Sequence, residues 1–109
     1  MDSLGEFEQS ILLAIVHLRA DAYGVTIRRE IEARTGRPVT VGALYTALDR
    51  LERKGYVSSA MSGPTAERGG RSKRYVKIRA AGAAALRESR ARLARMWDGL
   101  EDDLTRSRS

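Results

Sequence analysis

Residues 41–57 read Val-Gly-Ala-Leu-Tyr-Thr-Ala-Leu-Asp-Arg-Leu-Glu-Arg-Lys-Gly-Tyr-Val, and this run admits few structures. Val41, Leu44, Leu48 and Leu51 recur at intervals of 3, 4 and 3, which places them on one apolar stripe of an α-helix. The opposite face starts with the small or polar residues Gly42, Ala43 and Thr46 and ends with the cations Arg50, Arg53 and Lys54. Thr40 is placed to cap the helix, Gly55 stops it, and a β-branched strand starts at Val57. A helix that is slim at its start and basic at its end suits the DNA major groove. Small residues let the backbone approach base edges, and Arg and Lys reach the flanking phosphates.

The neighbouring segments supply a frame for that helix. A first helix is expected from Leu4 to about Arg19, with Leu4, Phe7, Ile11, Ala14 and Leu18 as its stripe. Leu12, Leu13, Ile15 and Val16 widen the stripe beyond one face, so this helix needs cover on most sides, part of it from another subunit. After the break at Ala22-Tyr23-Gly24, a second helix runs to about Arg34 with Val25, Ile27 and Ile31 inward. Gly36 and Pro38 end it. Strands are expected at 56–61 and 74–78, with Val76 and Ile78 on one face, joined by a long Gly- and Pro-containing loop. From Ala80 the Ala, Leu, Arg and Glu content is helical to about Asp103.

The order helix, helix, helix, strand, loop, strand, helix is that of a winged helix-turn-helix: mainly α, with a small β-hairpin wing and a long C-terminal dimerisation helix. Residues 1–79 form the DNA-binding domain, whose first helix also serves the dimer. Residues 80–104 form the dimerisation helix, and 105–109 a disordered tail.

Charge supports the same reading. The chain of 109 residues carries a net +6. Between Ser62 and Arg79, six cations face one acid, so most of the excess sits in and beside the loop. The absence of cysteine excludes disulfides, thiolate nucleophiles and Cys-ligated metals. The longest apolar run, Ile11 to Val16, is far short of the ~20 residues of a membrane span. A cytoplasmic protein without cofactor or metal is expected. The single histidine, His17, has no clustered ligands and reads as a packing or surface residue. No nucleophile–base pair or phosphate-binding loop is discernible, so an enzyme is not expected.

In a winged helix-turn-helix the third helix enters the major groove and the wing reaches the backbone or the minor groove. Base readout then falls to Thr40, Val41, Gly42 and Thr46, with Arg50 the long-reaching contact to a base or a phosphate. Tyr45, at the edge of the stripe, either meets a phosphate or packs. Arg68, Gly69, Gly70, Arg71, Lys73 and Arg74 form the basic wing, where the glycines allow close approach and the cations neutralise phosphates.

In the last helix Ala83, Leu86, Arg90, Leu93, Trp97, Leu100 and Leu104 alternate at 3 and 4, a heptad seam broken only by Arg90. Such a seam wants a partner helix. The dimer interface is therefore placed on Phe7, Ile11, Leu86, Leu93, Trp97, Leu100 and Leu104. Two recognition helices on a two-fold axis would read half-sites about one DNA turn apart, ~34 Å.

The run Gly42-Ala-Leu-Tyr-Thr-Ala-Leu-Asp-Arg-Leu-Glu-Arg-Lys-Gly55 resembles the signature of PadR-type transcriptional regulators. So do Tyr23-Gly24, Gly69-Gly70-Arg71, and Tyr75 followed by Gly82. The resemblance runs from about Leu4 to Leu104, in the length of the family's short form. It implies a homodimeric repressor of bacterial type that binds a roughly palindromic double-stranded operator and is released by a small molecule. In some relatives that this chain resembles, an aromatic on the last helix stacks planar ligands. By that resemblance Trp97, with Met96 and Arg90, is either an effector site or plain dimer core. Two departures stand out: Arg79 replaces the usual Thr or Ser entering the last helix, and Tyr23-Gly-Val-Thr-Ile27 replaces Tyr-Gly-Tyr-Glu-Ile. The competing expectation is a winged-helix module for protein–protein contact, without operator binding.

Overall fold

The computed structural model of the chain describes residues 4–62 and 73–105. Three helices come first: α1 (Glu6–Leu18), α2 (Gly24–Thr35) and α3 (Val41–Arg53). A two-stranded antiparallel hairpin follows, β1 (Val57–Met61) with β2 (Arg74–Ile78), then α4 (Ala80–Trp97) and α5 (Glu101–Thr105). Arg68, Gly69, Gly70 and Arg71 of the expected wing lie outside the described residues.

The local chemistry explains the boundaries. Thr40 caps α3 by accepting a hydrogen bond from the Ala43 N–H at 3.1 Å. Gly36 ends α2 in the left-handed conformation (φ 73°), its N–H donating to Glu32 O. Tyr23 N–H donates to Thr26 Oγ1 at 3.0 Å, satisfying a donor at the start of α2. Arg79, as its side chain suggests, gives α4 no side-chain cap.

The core lies where the three helices meet the hairpin. Ile11 and Leu12 of α1, Ile27 of α2, Leu44, Leu48 and Leu51 of α3, and Val57 and Val76 of the strands are all fully buried. The hairpin pairs Val57 with Ile78 and Ser59 with Val76. Its β2 edge is tied to the α1–α2 connection by Val76 N–H donating to Ala22 O at 2.9 Å.

Four expectations change. Val25 and Val41, expected inward, are 43 % and 51 % exposed, because Ile27 with Ile31, and Ala47 with the three leucines of α3, already fill the buried arcs. Ile11 is fully buried within its own chain, so it is core rather than dimer interface. The last helix does not continue to Asp103: α4 ends at Trp97, where Asp98 (ψ 124°) and Gly99 (φ 81°) turn the chain. A left-handed glycine is a common helix terminator, so the seven-position seam is cut after Trp97. Leu100 and Leu104 lie beyond the turn, both exposed.

Helix α4 projects from the body. Only Gly82 along its length is buried, and Ala85 and Leu86 are half-covered by the core. The radius of gyration, 16.7 Å, exceeds the roughly 13 Å of a compact chain of this length.

Candidate nucleic-acid interface

With Leu44, Ala47, Leu48 and Leu51 buried, the helical period leaves Gly42, Thr46, Asp49 and Arg53 along the centre of the outward face of α3. All four are exposed, as are Thr40, Val41 and Ala43 at its leading end. Thr40 is also the cap: its hydroxyl accepts from the Ala43 N–H and keeps its own O–H to donate. The structure thus brings together Thr40, Val41, Gly42 and Thr46, the residues assigned to base readout, on one accessible end of one helix.

Tyr45 packs between two helices and keeps part of its ring exposed. It is 37 % exposed, yet its phenol lies against Gly24 at the start of α2. A Cβ on Gly24 would overlap the Tyr45 hydroxyl, so glycine is what lets the two helices meet there. That requirement accounts for the glycine at position 24.

Two of the cations assigned to DNA are engaged inside the chain. Arg50 Nε donates to Glu8 Oε2 at 2.9 Å, and Lys54 Nζ approaches the same carboxylate at 3.3 Å. Arg74 donates to Asp49 Oδ1 at 3.0 Å, to Glu52 Oε1 at 2.6 Å and to Ser59 Oγ at 3.2 Å, locking β2 onto α3. Burial weakens the Arg74 charge, but the hydrogen bonds it donates to Glu52 and Asp49 outweigh that effect and raise its pKa. Glu52 is lowered by its hydrogen bonds with Ser59 and Arg74. Arg74 is therefore a strut between wing and recognition helix. Lys73, next to it, lies with its ammonium 4.5 Å from the centre of the Tyr23 ring, a cation–π distance that leaves it at the protein surface.

Glu8 is the residue the sequence reading missed. It occupies the buried stripe of α1 with Ile11, Leu12 and Ile15, and is only 6 % exposed. A lone acid at a core position of an amphipathic helix signals a buried ion pair, because an uncompensated buried charge is very costly. Its Oε1 also accepts from Gly5 N–H at 3.2 Å, closing the first turn of α1. Burial pushes the carboxyl up, while the hydrogen bonds from Arg50, Gly5 and Lys54 together hold it below its ordinary value. A depressed carboxyl contributes stability above its unfolded-state pKa and loses it as pH falls through the folded value. Glu8→Gln is expected to cost about 1–3 kcal/mol at neutral pH. The wild type should lose that advantage below about pH 4. Thermal unfolding of both proteins across pH 3–7 checks this; parallel curves would remove the ion pair from the stability of the fold.

On the flank away from α3, an open groove of about 760 Å³ runs between α1 and α4. Leu13 and Val16 line one wall, Leu86, Leu93 and Trp97 the other, with Arg87 and Arg90 at the rim. Phe7 and Met96 do not line it; Phe7 borders a depression near Thr40 and Ala43, and Met96 one with Leu4 and Arg92. Among the described residues no group of three or more His, Asp or Glu could hold a metal ion, and no helix is long and apolar enough to cross a membrane.

Solved structures share this fold. A PadR family transcription regulator from Clostridium difficile R20291 superposes with a TM-score of 0.72 at 21 % identity, covering 92 % of this chain and 99 % of that one. A putative transcriptional regulator from Thermoplasma acidophilum gives 0.68 at 24 % identity, over 94 % and 92 %. A PadR family transcriptional regulator from Eggerthella lenta gives 0.66 at 26 % identity, over 94 % and 88 %. No curated protein matches the chain. The sequence profile of the transcriptional regulator PadR-like family matches residues 12–88, a stretch that runs from α1 through the hairpin into α4. With the recognition helix, the hairpin and the projecting α4 in place, the chain belongs to the PadR-like family of transcriptional regulators, DNA-binding proteins rather than enzymes.

Proposed function

We propose that the protein is a homodimeric repressor that binds a roughly palindromic operator in the cytoplasm and is released by a small planar effector. The observation that carries the dimer is the groove between α1 and α4. Leu13 (48 %), Val16 (49 %), Leu93 (59 %) and Trp97 (43 %) expose large apolar surface on one side of the molecule. A contiguous apolar patch of this kind marks an interaction site. A second copy related by a two-fold axis covers it with the same patch, and each α4 then supports the other. Ile11 is excluded from this interface by its burial; Leu86, Leu93 and Trp97 remain, and Leu100 and Leu104 extend it beyond the turn.

DNA meets the leading end of α3 at bases, and the wing at phosphates. Lys73 and the cations Arg68 and Arg71 supply the neutralising charge, while Arg50 and Arg74 hold the scaffold. The effector site is the same groove, with Trp97 offering a flat apolar face and Arg87 and Arg90 attracting anionic groups. Met96, on another side of α4, has no part in it.

The test is binding to the promoter region of the protein's own operon across a salt series. Tight binding with a steep negative slope of log K against log salt is expected. Replacing Arg71 and Lys73 by Ala lowers that slope by up to ~2. An unchanged slope would remove the wing from the interface. Absent or salt-insensitive binding would favour a protein-contact module.

A further inference from the structure

The leading end of the recognition helix has little on it that can hydrogen-bond a base. Val41, the first residue of α3, is 51 % exposed, and exposed Gly42 and Ala43 follow it. The Thr40 hydroxyl accepts the capping bond from Ala43 N–H, which leaves it a single O–H to donate. No Asn, Gln or Lys occurs between Val41 and Arg53. Asp49 accepts from Arg74, and Arg50 donates its Nε to Glu8. Arg53 lies twelve residues further on, roughly 18 Å along the axis at the α-helical rise. Thr46 offers the other hydroxyl on this face, and a hydroxyl both donates and accepts, so it separates bases poorly.

An apolar, β-branched side chain at the tip of such a helix matches one feature of the major groove. Thymine presents its C5-methyl group there, and the hydrogen-bonding groups of the other bases have no counterpart on a valine. A guanine or cytosine edge pressed against Val41 would bury polar atoms without partners, which is unfavourable. We propose that Val41 is a specificity-determining residue that reads a thymine methyl group in each half-site. The proposal rests on α3 entering the major groove and names the chemistry by which it selects sequence there.

The experiment starts from duplexes enriched by the purified protein out of a randomised library. Affinity is then measured for the enriched duplex and for copies in which one thymine per half-site is replaced by deoxyuridine. That replacement deletes the methyl group and keeps every hydrogen-bonding group. At one thymine position affinity should fall about fourfold per half-site, the scale of one buried methyl group. Val41→Ala should bind the thymine and uracil forms alike, with unfolding close to wild type because the side chain is half exposed. Equal binding of all uracil forms by the wild type would overturn the proposal, as would a Val41→Ala protein that still prefers thymine. Failure to enrich any sequence, with salt-insensitive binding, would overturn the groove-binding reading itself and this inference with it.

Discussion

A chain carrying Leu13→Lys and Leu93→Lys is expected to sediment as a monomer and to lose at least about a hundredfold in operator affinity. Both side chains line the α1–α4 groove and both are exposed in the single chain, at 48 % and 59 %. Substitution therefore leaves the core intact, so the far-UV circular dichroism spectrum should stay near wild type, while the unfolding midpoint falls only by what self-association contributes. In a two-fold dimer each substitution occurs twice, so four ammonium groups would be buried in an apolar seam. Each would lose hydration without gaining a partner, at a cost of several kcal/mol per ion. Dissociation relieves that cost completely. A monomer then presents one recognition helix, and loses the gain that comes from tethering two half-site contacts in one molecule. Sedimentation equilibrium and anisotropy titration give the two readouts. A variant that remains dimeric would place the interface elsewhere.

Gly82→Ala is expected to destabilise the protein by about 1–3 kcal/mol, the range for forcing atoms into a packed site. The sign runs against intrinsic preference, since alanine in a helix interior is more favourable than glycine by up to about 1 kcal/mol. Packing decides it. A Cβ on Gly82 would overlap the carbonyl oxygen of Tyr56, with that carbonyl's carbon at 3.2 Å and Ile78 Cγ1 at 3.1 Å. Backbone and a β-branched side chain cannot swing away as the end of a long side chain can. The same Tyr56 carbonyl accepts from Arg79 N–H at 2.9 Å, so moving it also disturbs the start of α4. Because α4 carries Leu86, Leu93 and Trp97, a tilt at Gly82 is magnified along the helix and should weaken self-association as well as folding. Chemical denaturation of the wild type and the alanine variant measures the first effect. Equal or higher stability in the variant would mean that α4 is not seated against the Tyr56 carbonyl and Ile78.

These two positions differ in how far the sequence reveals them. Leu93 and Trp97 are legible as a seam because a 3–4 alternation of large apolar residues needs no tertiary information. Gly82 carries no side chain whose periodicity could be read, and its role appears only once a backbone carbonyl is placed beside it. Glu8 stands between the two. Its position on a core stripe was visible, but its partners Arg50 and Lys54 are 42 and 46 residues away and come together only when α1 packs on α3. That contact also links the helix of the proposed dimer to the recognition helix.

Periodicity, caps and breakers in the chain determined the order of elements, the arcs of α1, α2 and α3 that hold Ile11, Ile27, Leu44 and Leu48, the Thr40 cap and the family resemblance. Those features depend on neighbours within a few residues, which is the range over which sequence pattern and backbone geometry are coupled. The tertiary structure alone decided that Arg50 and Arg74 pair with carboxylates, that Val25 and Val41 face outward, and that the last helix breaks after Trp97. The first two depend on which groups distant segments bring into contact. A guanidinium is free or engaged according to whether a carboxylate has been folded against it, and a valine is buried only if another element covers its side of the helix.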